Sequence, residues 1–391
     1  MVLLFLPVLS QAGDLGFILD QNIGYEGAGD YNTADYVASL IPRYSTLLGD
    51  NGTLSVSAGF SMQYERENWT FIPELLRSEI TWVSGRWDIT AGRMYYSDPL
   101  GLIAEGLFDG ALFSYDIHWG TLSAGLWYTG LLYKKRANIA MNAEEWAFLN
   151  TGLEYSKFTD TYFAPSRMVA ALDWEQPADM FKIKVSLLGQ FDQTGENLDS
   201  QYLTAKLSIP ADSFFFDFGG SLSFLHNARD DFNIAWAGEL QAAWMLPVSF
   251  ASRLSLLWRH SSGTAENGIV TAFIPITTKT QGSVIKTNFT SISIISLDYL
   301  ARLHRNCAVN LKSTYYIRTD LDVNRSYLAN LYETQEGHFI GNEFYARVIW
   351  NPASDMQVNL GTGLFLPALG NVAPKTDVLW RAELNLVLSL Y

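Results

Sequence analysis

From Val378 to Tyr391 the chain alternates residue by residue: Trp380, Ala382, Leu384, Leu386 and Leu388 share one parity, Arg381, Glu383, Asn385 and Ser389 the other. Successive strand side chains point to opposite faces, so this segment asks for hydrocarbon on one side and water on the other. Leu54, Val56, Ala58, Phe60, Met62 and Tyr64 repeat the pattern against Ser55, Ser57, Gly59, Ser61, Gln63 and Glu65. Ile183, Val185, Leu187 and Phe191 do so against Lys182, Lys184, Ser186, Gln190 and Asp192, and Ile234, Trp236, Leu240, Ala242 and Trp244 against Glu239 and Gln241. One such strand would suit a half-buried soluble sheet. Recurrence from end to end, with turn residues between, is the signature of a transmembrane β-barrel.

Composition removes the main competitor. The 391 residues are 48% hydrophobic, but mean hydropathy is only +0.05. Beyond the first residues no apolar run reaches the ~18 residues a membrane helix needs. The 20 Tyr, 23 Phe and 12 Trp are an aromatic load that a barrel places in two interfacial girdles. Trp69, Trp87, Trp119, Trp174, Trp350 and Trp380 fall near strand ends, which fits interfaces better than a soluble core. A net charge of −14 argues against nucleic acid as a partner. Residues 1–12 read as the hydrophobic part of a truncated secretory signal, with 13–391 forming the barrel. The single cysteine, Cys307, falls in the lipid-facing phase and leaves no disulfide, lipid-anchor or thiolate-metal site.

About eighteen strands can be placed, with sixteen as the alternative, the first near 15–25 and the second near 36–48. Connections such as Gly49–Gly52, Ser84–Arg86, His118–Gly120 and His304–Asn306 are short and rich in turn formers. Between them fall longer connections at 95–109, 133–164, 260–290 and 319–338. Short periplasmic turns and long extracellular loops would alternate in this way, and an even count returns both ends to the periplasm. A closed ring also leaves no unpaired edge in hydrocarbon, and this many strands enclose a lumen too wide for side chains alone to fill.

Parity lists the lumen wall. The inward basic candidates are Arg43, Arg77, Arg167, Lys182, Lys184, Lys206, Arg253, Arg259, Arg302, Lys312, Arg318, Arg347 and Arg381. The inward acidic candidates include Glu65, Glu79, Asp173, Asp217, Glu239, Asp298, Glu343 and Glu383. The signs roughly cancel, which suits either a selective mixed channel or charges paired across strands to solvate the interior. Loop 95–109 is unusually apolar for an outer loop, with Pro99, Leu100, Leu102, Ile103, Leu107 and Phe108 beside Asp109. It is a candidate constriction, or a cover for the rim or a neighbouring protomer. Loop 133–164, with Lys134, Lys135 and Arg136 followed by Glu144 and Glu145, is a second candidate lid.

Enzymatic motifs are not evident. His118, His226, His260, His304 and His338 are scattered without metal-ligand spacing, and no cofactor motif is present. His260, Ser261 and Ser262 could suggest a hydrolase, but adjacency in a strand does not pair a nucleophile with a base.

The sequences Gly341-Asn-Glu-Phe344, Asp355-Met-Gln-Val358 and Leu360-Gly-Thr-Gly-Leu-Phe-Leu-Pro367 resemble the closing strands of the alginate-export family of outer-membrane porins. Gly92-Arg93 and Phe108-Asp-Gly110 are similar to that family's earlier part. The resemblance implies an eighteen-stranded barrel passing a saccharide by diffusion, with Glu343, Arg347 and Arg381 in its lining. The acidic total departs from what a polyuronate conduit suggests, and Tyr391 falls out of phase with the apolar series of its strand. The expectation is therefore a non-enzymatic outer-membrane channel for small hydrophilic solutes, saccharides among them. Lipid and the barrel-assembly machinery would be its other partners. The rival is a plugged barrel acting as an adhesin or surface structural protein.

Overall fold

The computed structural model describes residues 13–65, 68–177, 180–194, 198–226, 232–248, 250–264, 270–320, 337–368 and 377–390. The candidate signal segment and Tyr391 lie outside them. The described strands are β1 (Asp14–Ala28), β2 (Tyr31–Leu48), β3 (Gly52–Glu65), β4 (Asn68–Ser84), β5 (Trp87–Ser97), β6 (Glu105–Ile117), β7 (Gly120–Tyr128), β8 (Arg167–Gln176) and β9 (Lys182–Asp192). They continue as β10 (Asp199–Ala211), β11 (Phe214–His226), β12 (Phe232–Leu246), β13 (Ser252–Ser261), β14 (Ile292–His304), β15 (Cys307–Arg318), β16 (Phe339–Ala353), β17 (Met356–Pro367) and β18 (Leu379–Leu390). Three short helices, α1 (Lys134–Ala137), α2 (Ala143–Leu149) and α3 (Phe158–Tyr162), lie between β7 and β8.

Each strand pairs antiparallel with its neighbours in sequence, and β18 returns to β1 from Phe17↔Leu390 to Ala28↔Leu379. The sheet thus closes on itself as one eighteen-stranded barrel. Its outer parity is apolar and open: Leu126 is 55% exposed, Leu172 46%, Leu256 52% and Leu360 57%. Such a surface is stable only in hydrocarbon. Aromatic pairs mark both rims of this band. Tyr25 and Trp380 (5.1 Å between ring centroids) and Tyr64 and Trp69 (5.1 Å) lie at the end of the long loops. Trp119 and Trp174 (5.4 Å) and Phe214 and Trp244 (5.8 Å) lie at the turn end. Not every Trp follows suit, since Trp127 is 1% exposed and points inward.

Two features differ from the sequence expectation. Strands β1 and β2 run on to Ala28 and Tyr31, joined by a tight turn at Gly29 and Asp30, so the connection expected around 26–35 is mostly strand. Likewise β5 reaches Ser97 and β6 begins at Glu105, which shrinks the 95–109 loop to 98–104. Where β1 and β2 run past the apolar band both faces meet water, whereas the β5–β6 tip bends inward with L3 and meets core on one side and cavity on the other; in either setting the alternation that marks a strand fades while its backbone ladder continues.

Among the described strands, the β4–β5 ladder stops short within the wall. Strands β4 and β5 pair only from Ser84↔Trp87 to Ser78↔Arg93, although β4 continues upward from Arg77 to Asn68 beside β3. Above Arg93, β5 stays with β6 as far as Ser97↔Glu105. At the parting point Gly92 has φ +118°, and a Cβ there would overlap the carbonyl oxygen of Ser78. Only glycine fits that approach.

Candidate functional site

The interior is shaped by three outer connections: L3 (98–104), L4 (129–166) and L7 (262–291). L3 is organised by Asp98, whose Oδ2 accepts from Leu100 N (2.9 Å) and whose Oδ1 accepts from Leu102 N, Ile103 N and Ala104 N (3.1, 2.9 and 3.0 Å). The carboxylate is 4% exposed. Four backbone donors converge on it because a compact loop away from water must satisfy its own N–H groups. So held, L3 turns its apolar residues to the far wall. Leu100 presses on Gly219 of β11, while Leu102, Ile103 and Phe108 are each 1% exposed. Pro99 is half-buried beside them, and Leu107 packs against Leu132 and Ile139 of L4.

L7 crosses the same space. Tyr202 of β10 donates to Ile274 O (2.6 Å), and Lys286 pairs with Glu26 of β1 (3.2 Å), across the ring from β10. Between these anchors Ile276 N and Thr277 N donate to Ile103 O of L3 (2.8 and 3.0 Å). Ser283 N, Val284 N and Ile285 N donate to the Glu343 carboxylate (each 2.9 Å). L3 and L7 enclose a dry core inside the barrel: Phe273, Phe289, Ile276 and Ile103 meet inward Trp127, Val169, Leu188, Tyr202, Tyr316 and Phe365 of the wall. The expectation that the inward parity is polar throughout therefore requires correction. In the upper part of β7–β17 that parity carries large apolar side chains, which pack on the loops rather than face water.

The charged candidates separate into groups. Lys206 pairs with Asp217 (3.4 Å) and Glu239 (3.3 Å), and Glu239 also takes Arg259 (2.7 Å), whose Nη1 reaches Gln281 of L7 (3.2 Å). Arg381 pairs with Asp35 (3.3 Å), Glu383 (3.2 Å) and Glu26, and Arg347 pairs with Glu383 (3.2 Å). Lys182 and Lys184 share Glu175 near the turn end, the latter at 2.7 Å. Arg43 and Arg77 border a cavity at that end, with Arg77 paired to Glu79. Arg253 sits there too, opposite Met245 and Leu300. Asp298 accepts from Asn310 Nδ2 (2.8 Å) and lies across the ladder from half-buried Lys312.

Three candidates are anchors rather than free wall. Glu343, 1% exposed, holds the L7 backbone. Arg318, 1% exposed, donates through Nε to Gly337 O (2.7 Å) at the outer rim. Arg167, fully buried, pairs with Glu145, which also accepts from Met141 N (2.7 Å) and ties α2 down.

Opposite the dry core a cavity of about 620 Å³ runs between the loops and β2–β6. Ser39, Ser61, Gln63, Asn138, Thr277, Thr278 and Thr280 supply hydroxyl and amide groups along it. Its charges come in pairs: Glu65 with Lys135 (3.1 Å), Glu74 with Arg136 (3.1 Å) and Glu105 with Lys279. L7 residues 277–280 were not marked by sequence reasoning, because a Thr-rich polar loop carries no sign that it folds inward. His260 stacks on Trp236 (4.4 Å), whereas Ser261 donates to Ile292 O (3.1 Å). The two side chains are thus engaged separately.

No protein-family model matches the sequence, and no curated protein matches it. Solved structures do match its fold. The chain is similar to OccK2 (OpdF) of Pseudomonas aeruginosa, with TM-score 0.66 and 10% identity over 97% of each chain. It is also similar to OccK11 (OpdR) of that organism (0.64, 10%, 97% of this chain and 96% of that one) and to its outer membrane protein OprD (0.59, 12%, 96% and 93%). At such identity the likeness shows the fold, a single porin-type barrel of eighteen strands. The resemblance of residues 341–367 to the alginate-export family gains no support from these comparisons.

Proposed function

We propose that this chain is an outer-membrane channel for passive diffusion of small hydrophilic solutes, saccharides among them, and not an enzyme. The observation that carries the reading is the cavity beside the inward loops. A barrel filled only to solvate itself would have no reason to keep a path lined by hydroxyls, amides and neutralised ion pairs beside a dry plug. L3 and L7 form the constriction, so the residues that set passage are those of the cavity wall and the loops that face it. Among the charged candidates, Arg43 and Arg77 border a separate cavity at the turn end of the same strands. Lys206, Arg259 and Glu239 act mainly by holding L7 through Gln281.

The test is single-channel recording in planar bilayers, followed by liposome swelling with neutral saccharides of increasing size. Resolved conductance steps and a size cut-off are expected. The apolar core that L3 and L7 build inside the barrel favours a second reading, a plugged barrel with a surface role. A folded, heat-modifiable protein that gives neither steps nor swelling would establish that alternative.

A further inference from the structure

A transmembrane barrel wall is sealed by its backbone ladder, because each unmet N–H or C=O facing lipid costs several kcal/mol. Between β4 and β5 the ladder stops at Ser78↔Arg93, yet Phe71 (48% exposed) and Leu75 (42%) of β4 still belong to the outward apolar band. The open edge of β4 is closed by side chains. Tyr155 Oη accepts from Phe71 N (2.7 Å) and donates to Phe71 O (2.8 Å). Tyr162 Oη donates to Pro73 O (2.5 Å), and Pro73 has no N–H to leave unmet. Arg93 Nη1 donates to Leu75 O (2.6 Å) while its Nη2 holds Leu131 O (3.0 Å). Arg93 also forms a two-pronged pair with Asp109 (2.7 Å for both contacts), which fixes it in the fork where the strands part. The seal is therefore L4, docked through two tyrosine hydroxyls and one guanidinium.

Behind the seam, on its lumen side, lies a second cavity of about 710 Å³. Leu76, Met94, Leu107 and Leu112 give it an apolar wall, and Arg77 and Arg136 a polar end. It shares Tyr95, Gly106 and Arg136 with the hydrophilic cavity described above, so the two adjoin across these side chains.

We propose that the β4–β5 seam is a lateral portal, latched by L4, through which amphipathic solutes with an apolar body and a polar head pass between the channel and the outer leaflet. This deepens the channel reading and rests on it. A ladder can open only by unzipping strands, whereas this closure opens when L4 lifts two hydroxyls from the β4 edge. The apolar side of the inner cavity receives the body of the solute, and its arginine end the head.

The experiment uses the full barrel in liposomes, with N-phenylnaphthylamine as the apolar probe and potassium conductance as the lumen control. The double variant Tyr155→Phe and Tyr162→Phe keeps the rings and removes the latch. It should speed probe entry about tenfold, as expected when three hydrogen bonds at the weak end of the usual net strength leave the closed state, with conductance unchanged. A complementary variant carries Tyr155→Cys and Phe71→Cys in a Cys307→Ser background, bridged by a thiol linker the length of a tyrosine side chain. Bridging should lower probe entry to the rate of protein-free liposomes and leave conductance intact. Probe entry that is the same with and without the bridge overturns the portal, as does entry that rises or falls only in step with conductance. Silence in bilayers with probe entry still dependent on the bridge would instead remove the hydrophilic-channel reading and leave the portal standing.

Discussion

At the residue scale, single buried groups hold the loops, and each makes its own prediction. Asp98 satisfies four backbone donors of L3. Asp98→Ala orphans them at about 1–3 kcal/mol each if they stay buried, so L3 should rearrange instead. Single-channel records should then show a larger, noisier conductance, with Asp98→Asn intermediate because one oxygen remains. Lys134 of α1 lies over the Phe148 ring (4.1 Å) and donates to Thr151 Oγ1 (2.7 Å). Burial pushes its ammonium down to about 8. The unfolded loop therefore holds more protons than the folded one between about pH 8 and the ordinary lysine value near 10.5, and L4 should gain stability as pH rises through that window. The protection factors of the α2 amides, taken against the intrinsic exchange rate at each pH, should rise across the window in the native protein, and Lys134→Met should flatten the dependence.

At the scale of elements, L7 is an arm fastened at both ends rather than a hanging loop. Its central fastening is Glu343, and Glu343→Ala leaves three N–H groups of residues 283–285 without acceptors. The wall ladder is untouched by that change. The barrel should thus keep its heat-modifiable migration while conductance rises, and protease access to L7 in the folded state should rise with it. If L7 stayed protected, the dry core rather than Glu343 would be what fixes it. The strands themselves were legible in sequence because a two-residue period is a local property that each segment carries alone. Loop lengths were less so. Glu26 and Asp35, in the stretch expected to be loop, are strand residues that meet Arg381, and nothing local in two solvated faces announces a ladder.

At the scale of the whole molecule, a net charge of −14 does not make an anionic channel. The hydrophilic cavity carries its charges as Glu–Lys and Glu–Arg pairs. Reversal potentials in a KCl gradient should therefore lie near zero. Lys279→Met, which strips Glu105 of its partner, should shift them towards cation preference; no shift would place the rate-limiting charges elsewhere. Parity gave the inward set of charges, but not which of them face the path. Arg259 and Glu343 share the parity of Arg43 and Arg77 and yet serve as fastenings, because L7, arriving from elsewhere in the chain, lies against them. The same holds for Trp127, Tyr202 and Phe365, inward aromatics that would be misplaced in a wet lumen and are buried only because L3 and L7 cover them.

The sequence by itself determined a closed membrane barrel, a strand count of about eighteen and its lipid-facing side, since alternation, turn chemistry and the cost of open edges in hydrocarbon act over a few residues or on every strand alike. Tertiary structure alone decided that apolar loop residues fill the lumen beside β7–β17, that the polar cavity lies against β2–β6, and that one seam of the wall is closed by tyrosines instead of a ladder. Each of these depends on contacts between residues far apart in the chain, such as Tyr155 with Phe71 or Tyr202 with Ile274, whose partners no local pattern can name.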